Sequence, residues 1–159
     1  MQTSEMVAAL RRHPFDKDFA APHIERLASL ASEAHFDRDQ MIFREGDEFS
    51  KFYLIIAGRV ALEMATPEGP LRVQTLSAGD ELGWSAILMG RGKHFQARAL
   101  ERVRALAFDG PALLAACRED KTFGYALMYR MLGVVSERLQ ATRLQLLDMY
   151  SPVAKRAGT

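Results

Sequence analysis

A series of short strand-like segments, each ended by turn residues, is the feature that most limits what this chain can fold into. From about residue 33 to residue 109, apolar side chains recur with a period of two, as in a β-strand. Short strands at this spacing predict antiparallel pairing in a sandwich or barrel. The predicted strands are Met41–Phe43, Phe52–Ile56, Val60–Met64, Leu71–Leu76, Phe95–Leu100 and Val103–Phe108.

Two helices are predicted before the strands. The first covers residues 4–12 with Ser4 as its cap. The second opens at Pro22, because proline is tolerated in the first helical turn, and carries an apolar stripe that ends at Leu30 and Ala31. We therefore assign residues 4–33 to N-terminal helices and residues 33–109 to a β-roll.

Two more helices are predicted after the strands, over residues 111–150. Pro111 starts the shorter one, and Asp120 caps a long one that runs from Lys121 to about Tyr150. We expect the tail, residues 151–159, to be frayed. A length of 159 residues suits one domain, so residues 1–159 are predicted to form a single unit.

The long helix has apolar side chains at alternating spacings of three and four, a pattern sustained over more than three heptads. One helix cannot bury such a stripe and also pack on its own barrel along its whole length. We therefore expect a parallel homodimer through the C-terminal helix, although the stripe packing only on its own domain is the other interpretation. The predicted dimer seam is Met128, Leu132, Val135, Leu139, Thr142 and Leu146.

Composition and charge exclude several classes of function. A net charge of +1 gives no general attraction to nucleic acid or to a membrane surface. The single cysteine, Cys117, excludes an intramolecular disulfide. The N-terminus lacks a signal-peptide core, and no apolar run is long enough to span a bilayer. We expect a cytoplasmic protein.

Catalytic patterns are missing from the sequence. The four histidines are scattered, and there is no paired carboxylate motif, nucleophile elbow or P-loop. Cys117 lies on an apolar helix face and is interpreted as a small buried side chain. We predict that the chain is not an enzyme and holds no metal.

Three segments resemble cyclic nucleotide-binding domains. Residues 42–47 with 52–60 resemble the first hairpins of that family, and GDELG at 79–83 resembles the start of its phosphate-binding cassette. RLQAT at 138–142 resembles the dimer helix of the Crp/Fnr regulators. The resemblance implies a mainly β fold with α-helices: an eight-stranded jelly roll, or double-stranded β-helix, flanked by N-terminal helices and a long C-terminal dimerisation helix.

In that family, a glutamate of the cassette binds the ribose of the ligand and an arginine binds its phosphate. Counted from Gly79, these positions hold Trp84 and His94, and the small residue next to the arginine is Phe95. Tryptophan cannot accept a hydrogen bond from a hydroxyl, and histidine cannot make the guanidinium fork. We therefore expect ordinary cyclic-AMP or cyclic-GMP binding to be weak. The candidate pocket is Gly83, Trp84, Ser85, His94, Phe95, Gln96, Arg138 and Thr142.

Several assignments in the pocket have alternatives. An insertion in the loop at residues 90–92 would place Arg91 nearer the phosphate site. If the face of His94 looks into the roll, Arg98 reaches inward with an anionic partner; otherwise it is solvated. Arg138 contacts a ligand, or pairs with Glu137 or Asp148 across the dimer. Thr142 contacts a ligand or fixes the register of the dimer.

Two functions fit these observations. The first is a stand-alone regulatory domain that senses a nucleotide or another small anion and signals through a protein partner. The second is a ligand-free homodimerisation module whose pocket is plugged by Trp84 and Phe95. Only nine residues, 151–159, follow the long helix, too few for the helix-turn-helix of the Crp/Fnr regulators, so we expect no direct DNA binding.

Overall fold

The computed structural model of the chain describes residues 2–44, 51–84 and 95–150. Two helices precede the strands and two follow them, as predicted. The helices are α1 (Thr3–Arg12), α2 (Ala21–Leu30), α3 (Gly110–Glu119) and α4 (Lys121–Tyr150). The strands are β1 (Ala31–Phe36), β2 (Met41–Phe43), β3 (Lys51–Ala57), β4 (Val60–Thr66), β5 (Gly69–Leu76), β6 (Glu81–Leu82), β7 (Gln96–Ala99) and β8 (Val103–Asp109).

The described strands form two antiparallel four-stranded sheets. One has the order β1-β8-β3-β6 and the other the order β2-β7-β4-β5. All six predicted strands are present within a few residues of their predicted ends. The mainly β jelly roll with a long C-terminal helix is therefore confirmed.

The start of the roll was predicted wrongly. The second helix ends at Leu30, and Ala31, which was assigned to its stripe, begins β1. Residues 31–36 pair with β8 along their full length, from Ala31 opposite Phe108 to Phe36 opposite Val103. Pairing with a buried central strand outweighs the weak helical pattern of these residues.

Helix caps agree with the sequence in most places. Oδ1 of Asp120 accepts hydrogen bonds from the main-chain N–H groups of Thr122 and Phe123 at 3.1 and 3.2 Å, which confirms it as the cap of α4. The prediction for Ser4 was wrong, because α1 begins at Thr3 and is preceded by Gln2, whose main-chain N–H donates to Glu5.

The core has two layers. Alternate residues of β8 point to opposite sides, so that Leu106 and Phe108 contact the helices while Ala105 and Ala107 face the interior of the roll. Helix α4 joins the first layer through Phe123, Leu127, Met131 and Val134, all of which are fully buried. The N-terminal half of α4 is thus fixed against the roll. None of the described helices has the length and apolar character needed to cross a membrane.

Gly58 closes the turn between β3 and β4. Its φ of +95° lies in the left-handed region, and a Cβ there would come within 2.3 Å of the carbonyl oxygen of Arg102. Glycine is therefore required at this turn.

Candidate functional site

A cavity of about 460 Å³ lies between the interior of the roll and α4. The roll contributes mostly apolar walls, and the helix contributes one face of its middle turns. Lining residues from the roll are Phe43, Leu62, Met64, Val73, Gln74, Leu82, Gly83, Trp84 and Phe95; those from α4 are Val135, Arg138, Leu139, Thr142 and Gln145.

Five residues of the predicted pocket meet in this cavity. Gly83 has a φ of +84°, so the backbone turns there in a conformation that favours glycine. The next residue, Trp84, is half-buried and also packs against the helical core layer. Of the other predicted residues, Phe95, Arg138 and Thr142 line the cavity, whereas Ser85 and His94 lie outside the described part of the chain.

Gln96 is the predicted pocket residue that points elsewhere. Ala97 and Ala99 belong to the core inside the roll, so the alternation of β7 places Gln96 and Arg98 on the outer face of the sheet. There both donate to the buried carboxylate of Glu63, Gln96 at 3.0 Å and Arg98 at 3.3 Å. Arg98 does have an anionic partner, but outside the roll, so the inward alternative is wrong.

Arg138 connects the long helix to the roll. Its Nη2 donates to the main-chain carbonyl of Glu81 and lies 3.6 Å from Oε1 of the same residue. Its Nη1 donates to the side chain of Gln74 at 3.4 Å. Only 14% of the Arg138 side chain and 5% of the Glu81 side chain are exposed. Within the chain, the acidic partner of this arginine is therefore Glu81 of β6.

Glu81 is the residue of the site that the sequence did not reveal. Burial raises the pKa of its carboxyl group; the positive charge of Arg138 opposes this effect, and the negative charge of Asp80 adds to it. Its place directly before the apolar Leu82, within the GDELG motif at 79–83, was the one available signal.

Two further polar residues of α4 lie at the cavity. The hydroxyl of Thr142 donates to the carbonyl of Arg138, one turn earlier, at 2.9 Å. The side chain of Gln145 donates to the carbonyl of Val73 on β5 at 2.7 Å. The second bond connects the helix to β5, whereas the first lies within the helix itself.

The predicted dimer seam includes both exposed residues and residues that contact the domain, since Met128 packs against the helical core layer. Leu132, Leu139 and Leu146 are 64%, 49% and 53% exposed. The buried residues of α4 are five others, and the last of them is Val134. The seam and the cavity also share Val135, Leu139 and Thr142.

Comparison with known proteins agrees with this geometry. The family model of the cyclic nucleotide-binding domain matches residues 33–120, and the chain belongs to that family. A CRP-like cAMP-activated global transcriptional regulator of Mycobacterium tuberculosis is 25% identical over 127 residues, which cover 79% of this chain and 55% of the regulator. The chain spans between 25% and 55% of the length of the curated relatives that it matches.

Solved structures show the same fold. A cyclic nucleotide-binding domain from Methylobacillus flagellatus KT superposes with a TM-score of 0.76 at 19% identity, covering 94% of this chain and 83% of that one. The regulatory subunit of a cAMP-independent protein kinase A from Trypanosoma brucei superposes with a TM-score of 0.68 at 19% identity, covering 87% of this chain and 46% of that one.

Proposed function

We propose that this chain is a regulatory domain in which the occupant of the cavity controls the position of α4. The observation that carries the proposal is that roll and helix line the cavity together, with Trp84 on one side and Arg138 and Leu139 on the other. A ligand that contacts both sides favours one arrangement of the helix over others, and so shifts an existing equilibrium. A partner protein that contacts α4 then receives the signal.

The phosphate-binding cassette of this domain is degenerate. Trp84 and Phe95, which stand where the family places a glutamate and a small residue, both line the cavity with large apolar surfaces. Each lost charge-assisted hydrogen bond costs about 1.5–3 kcal/mol. Two such losses weaken a micromolar ligand to about millimolar affinity. Cyclic AMP and cyclic GMP are therefore expected to bind poorly.

Titration tests this proposal directly. Trp84 is the single tryptophan of the chain, so its fluorescence reports on the cavity. Cyclic AMP, cyclic GMP and cyclic di-GMP should each fail to saturate below about millimolar concentration. The triple variant Trp84→Glu, His94→Arg, Phe95→Ser should bind cyclic AMP at least tenfold more tightly in equilibrium dialysis. Saturation of the natural chain at micromolar cyclic AMP would show that its cassette is intact.

Hydrogen exchange tests the coupling to the helix. Any ligand that raises the melting temperature should also slow amide exchange in residues 135–145 of α4, because the helix lines the cavity from Val135 to Gln145 with one face of these turns. Slower exchange confined to the strands would argue against control of the helix.

We further propose that the chain forms a homodimer through the seam of α4. The support is the exposure of Leu132, Leu139 and Leu146 along one helical face. Leu132→Glu should convert the dimer to a monomer in analytical ultracentrifugation. The matched control is Leu144→Glu, since Leu144 is as exposed as Leu146 but lies off the seam. Equal dissociation by both variants, or a monomeric natural chain, would contradict this dimer.

A ligand-free homodimerisation module is the second candidate function. The packing of Trp84 against the helical core layer favours it, because this side chain contributes to stability without any ligand. Under this alternative, no ligand up to millimolar concentration changes the melting temperature, and Trp84→Ala lowers it.

A further inference from the structure

The walls of the cavity beside α4 are mostly apolar. Nine of its described lining residues are apolar, and three of them, Phe43, Trp84 and Phe95, are aromatic. Aromatic walls attract flat rings through stacked and edge-to-face contacts. A volume of about 460 Å³ is within the range of pockets that enclose small organic molecules.

The one charged residue among the described lining residues already has its partners. The guanidinium of Arg138 donates to the carbonyl of Glu81 and to Gln74, and it faces the Glu81 carboxylate at 3.6 Å. An anionic ligand would compete with this carboxylate for the guanidinium and would bring a second negative charge beside a largely buried ion pair. Removing one partner from a buried ion pair is costly. A neutral ligand leaves the pair intact.

We infer that the cavity binds a neutral, largely apolar molecule that contains an aromatic ring, and that Glu81 sets this preference by neutralising Arg138. The inference rests on the proposed function, since it names the class of ligand for the same cavity. Glu81 is a specificity-determining residue that acts through Arg138.

The test uses two probes with the same ring and different charge, 2-naphthalenemethanol and 2-naphthoate. Equilibrium dialysis against the full chain should give a Kd for the neutral alcohol at least tenfold lower than that for the carboxylate. Glu81→Gln should reverse this order, because Arg138 then becomes an uncompensated cation facing the ligand. Circular dichroism verifies that each variant is folded.

The matched control is Glu63→Gln. Glu63 is also a buried acid paired with an arginine, Arg98, but it lies on the outer face of the sheet away from the cavity. This variant should keep the preference of the natural chain for the alcohol.

Two results would overturn the inference: tighter binding of naphthoate than of the alcohol by the natural chain, or an unchanged ratio in folded Glu81→Gln. If that variant does not fold, the comparison of the two probes on the natural chain decides alone. Failure of the proposed function would give a different result. The two probes and the cyclic nucleotides would then all leave the melting temperature and the amide exchange of α4 unchanged. In that case the inference fails together with it.

Discussion

Glu81 and Asp16 are both buried acids near an arginine of α4, but they differ in how they meet it. Arg138 donates to the main chain of Glu81 and lies 3.6 Å from its carboxylate. Neither carboxylate oxygen of Asp16 has a hydrogen-bond partner among the described residues, and Arg130 donates instead to the carbonyl of Phe15 at 3.0 Å. Burial is the largest cause of a raised pKa at both acids, and it raises that of Asp16 to about 8.

The difference shows two ways in which a protein keeps an acid out of water. A buried carboxylate needs a partner for its charge, or it takes up a proton and becomes neutral. Glu81 has such a partner and attaches the roll to the middle of α4. Asp16, between α1 and α2, is mostly protonated at neutral pH. The first acid is therefore stabilised by a cation, and the second by its own protonation.

The largest effect is expected from Arg138→Met. The variant leaves Glu81 buried without its cation, so the free energy of unfolding at pH 8 should fall by about 3–5 kcal/mol. Urea denaturation followed by Trp84 fluorescence measures it. The deficit should shrink as the pH falls, because Glu81 then takes up a proton.

The double variant Arg138→Met, Glu81→Gln is the control for this pair. It should recover part of the lost stability, since no charge is left buried. An equal loss in the single and double variants at every pH would mean that Glu81 and Arg138 do not interact.

Asp16→Asn tests the protonated acid. The pKa of Asp16 is about 8 in the folded chain against an ordinary value of 3.8, so between these values the folded state holds a proton that the unfolded state lacks. The contribution of Asp16 to the free energy of unfolding is therefore complete at low pH. It is lost as the pH rises towards 8, by at most about 1.4 kcal/mol per pH unit. Asp16→Asn should remove this slope and be more stable than the natural chain at pH 9.

Asp18→Asn is the matched control, because Asp18 is an exposed neighbour of the same charge. It should retain the slope of the natural chain in urea denaturation between pH 5 and pH 9. Identical pH profiles for the natural chain and Asp16→Asn would show that Asp16 is ionised throughout.

The sequence predicts the strands, but it does not show that Glu81 and Asp16 are buried. The period of two recurs over several residues in each long strand, so residues such as Val60 and Leu62 give a repeated signal. Strand β6 has two residues, Glu81 and Leu82, which pair with β3 alone and show no period. Asp16 lies in an irregular turn, where its burial depends entirely on tertiary packing.

The site was predictable where it depended on spacing. The spacing from Gly79 predicted Trp84 and Phe95 for the pocket, and both line the cavity beside α4. Gln96 was predicted for the same pocket but lies on the outer face of the sheet. The small residues of β7 alternate with polar ones, and the sequence alone did not decide which face was buried. The cavity walls from β4 and β5 were missed, since they meet α4 only after the roll has closed.

Arg130→Gln should change the stability by a smaller amount, and part of this change acts through Asp16. Because the charge of Arg130 lowers the pKa of Asp16, its loss should move the end of the pH slope to higher pH. Loss of the hydrogen bond to the Phe15 carbonyl should also cost about 1–3 kcal/mol. Arg130→Lys keeps the charge and should leave the slope in place. A slope that ends at lower pH in Arg130→Gln would contradict the proximity of the two charges.

The smallest effect is expected from the ion pair between Arg26 and Glu119, whose atoms lie closer together than those of Arg138 and Glu81. The distance is 2.8 Å, but 42% and 69% of the two side chains are exposed. Water and salt screen such a pair, so a double-mutant cycle with alanine should give a coupling of at most about 1 kcal/mol, which disappears in concentrated salt. The Arg138–Glu81 coupling should persist there. A surface pair as strong as the buried one would contradict this expectation. The distance between the charged atoms, rather than their burial, would then determine the coupling energy of an ion pair in this protein.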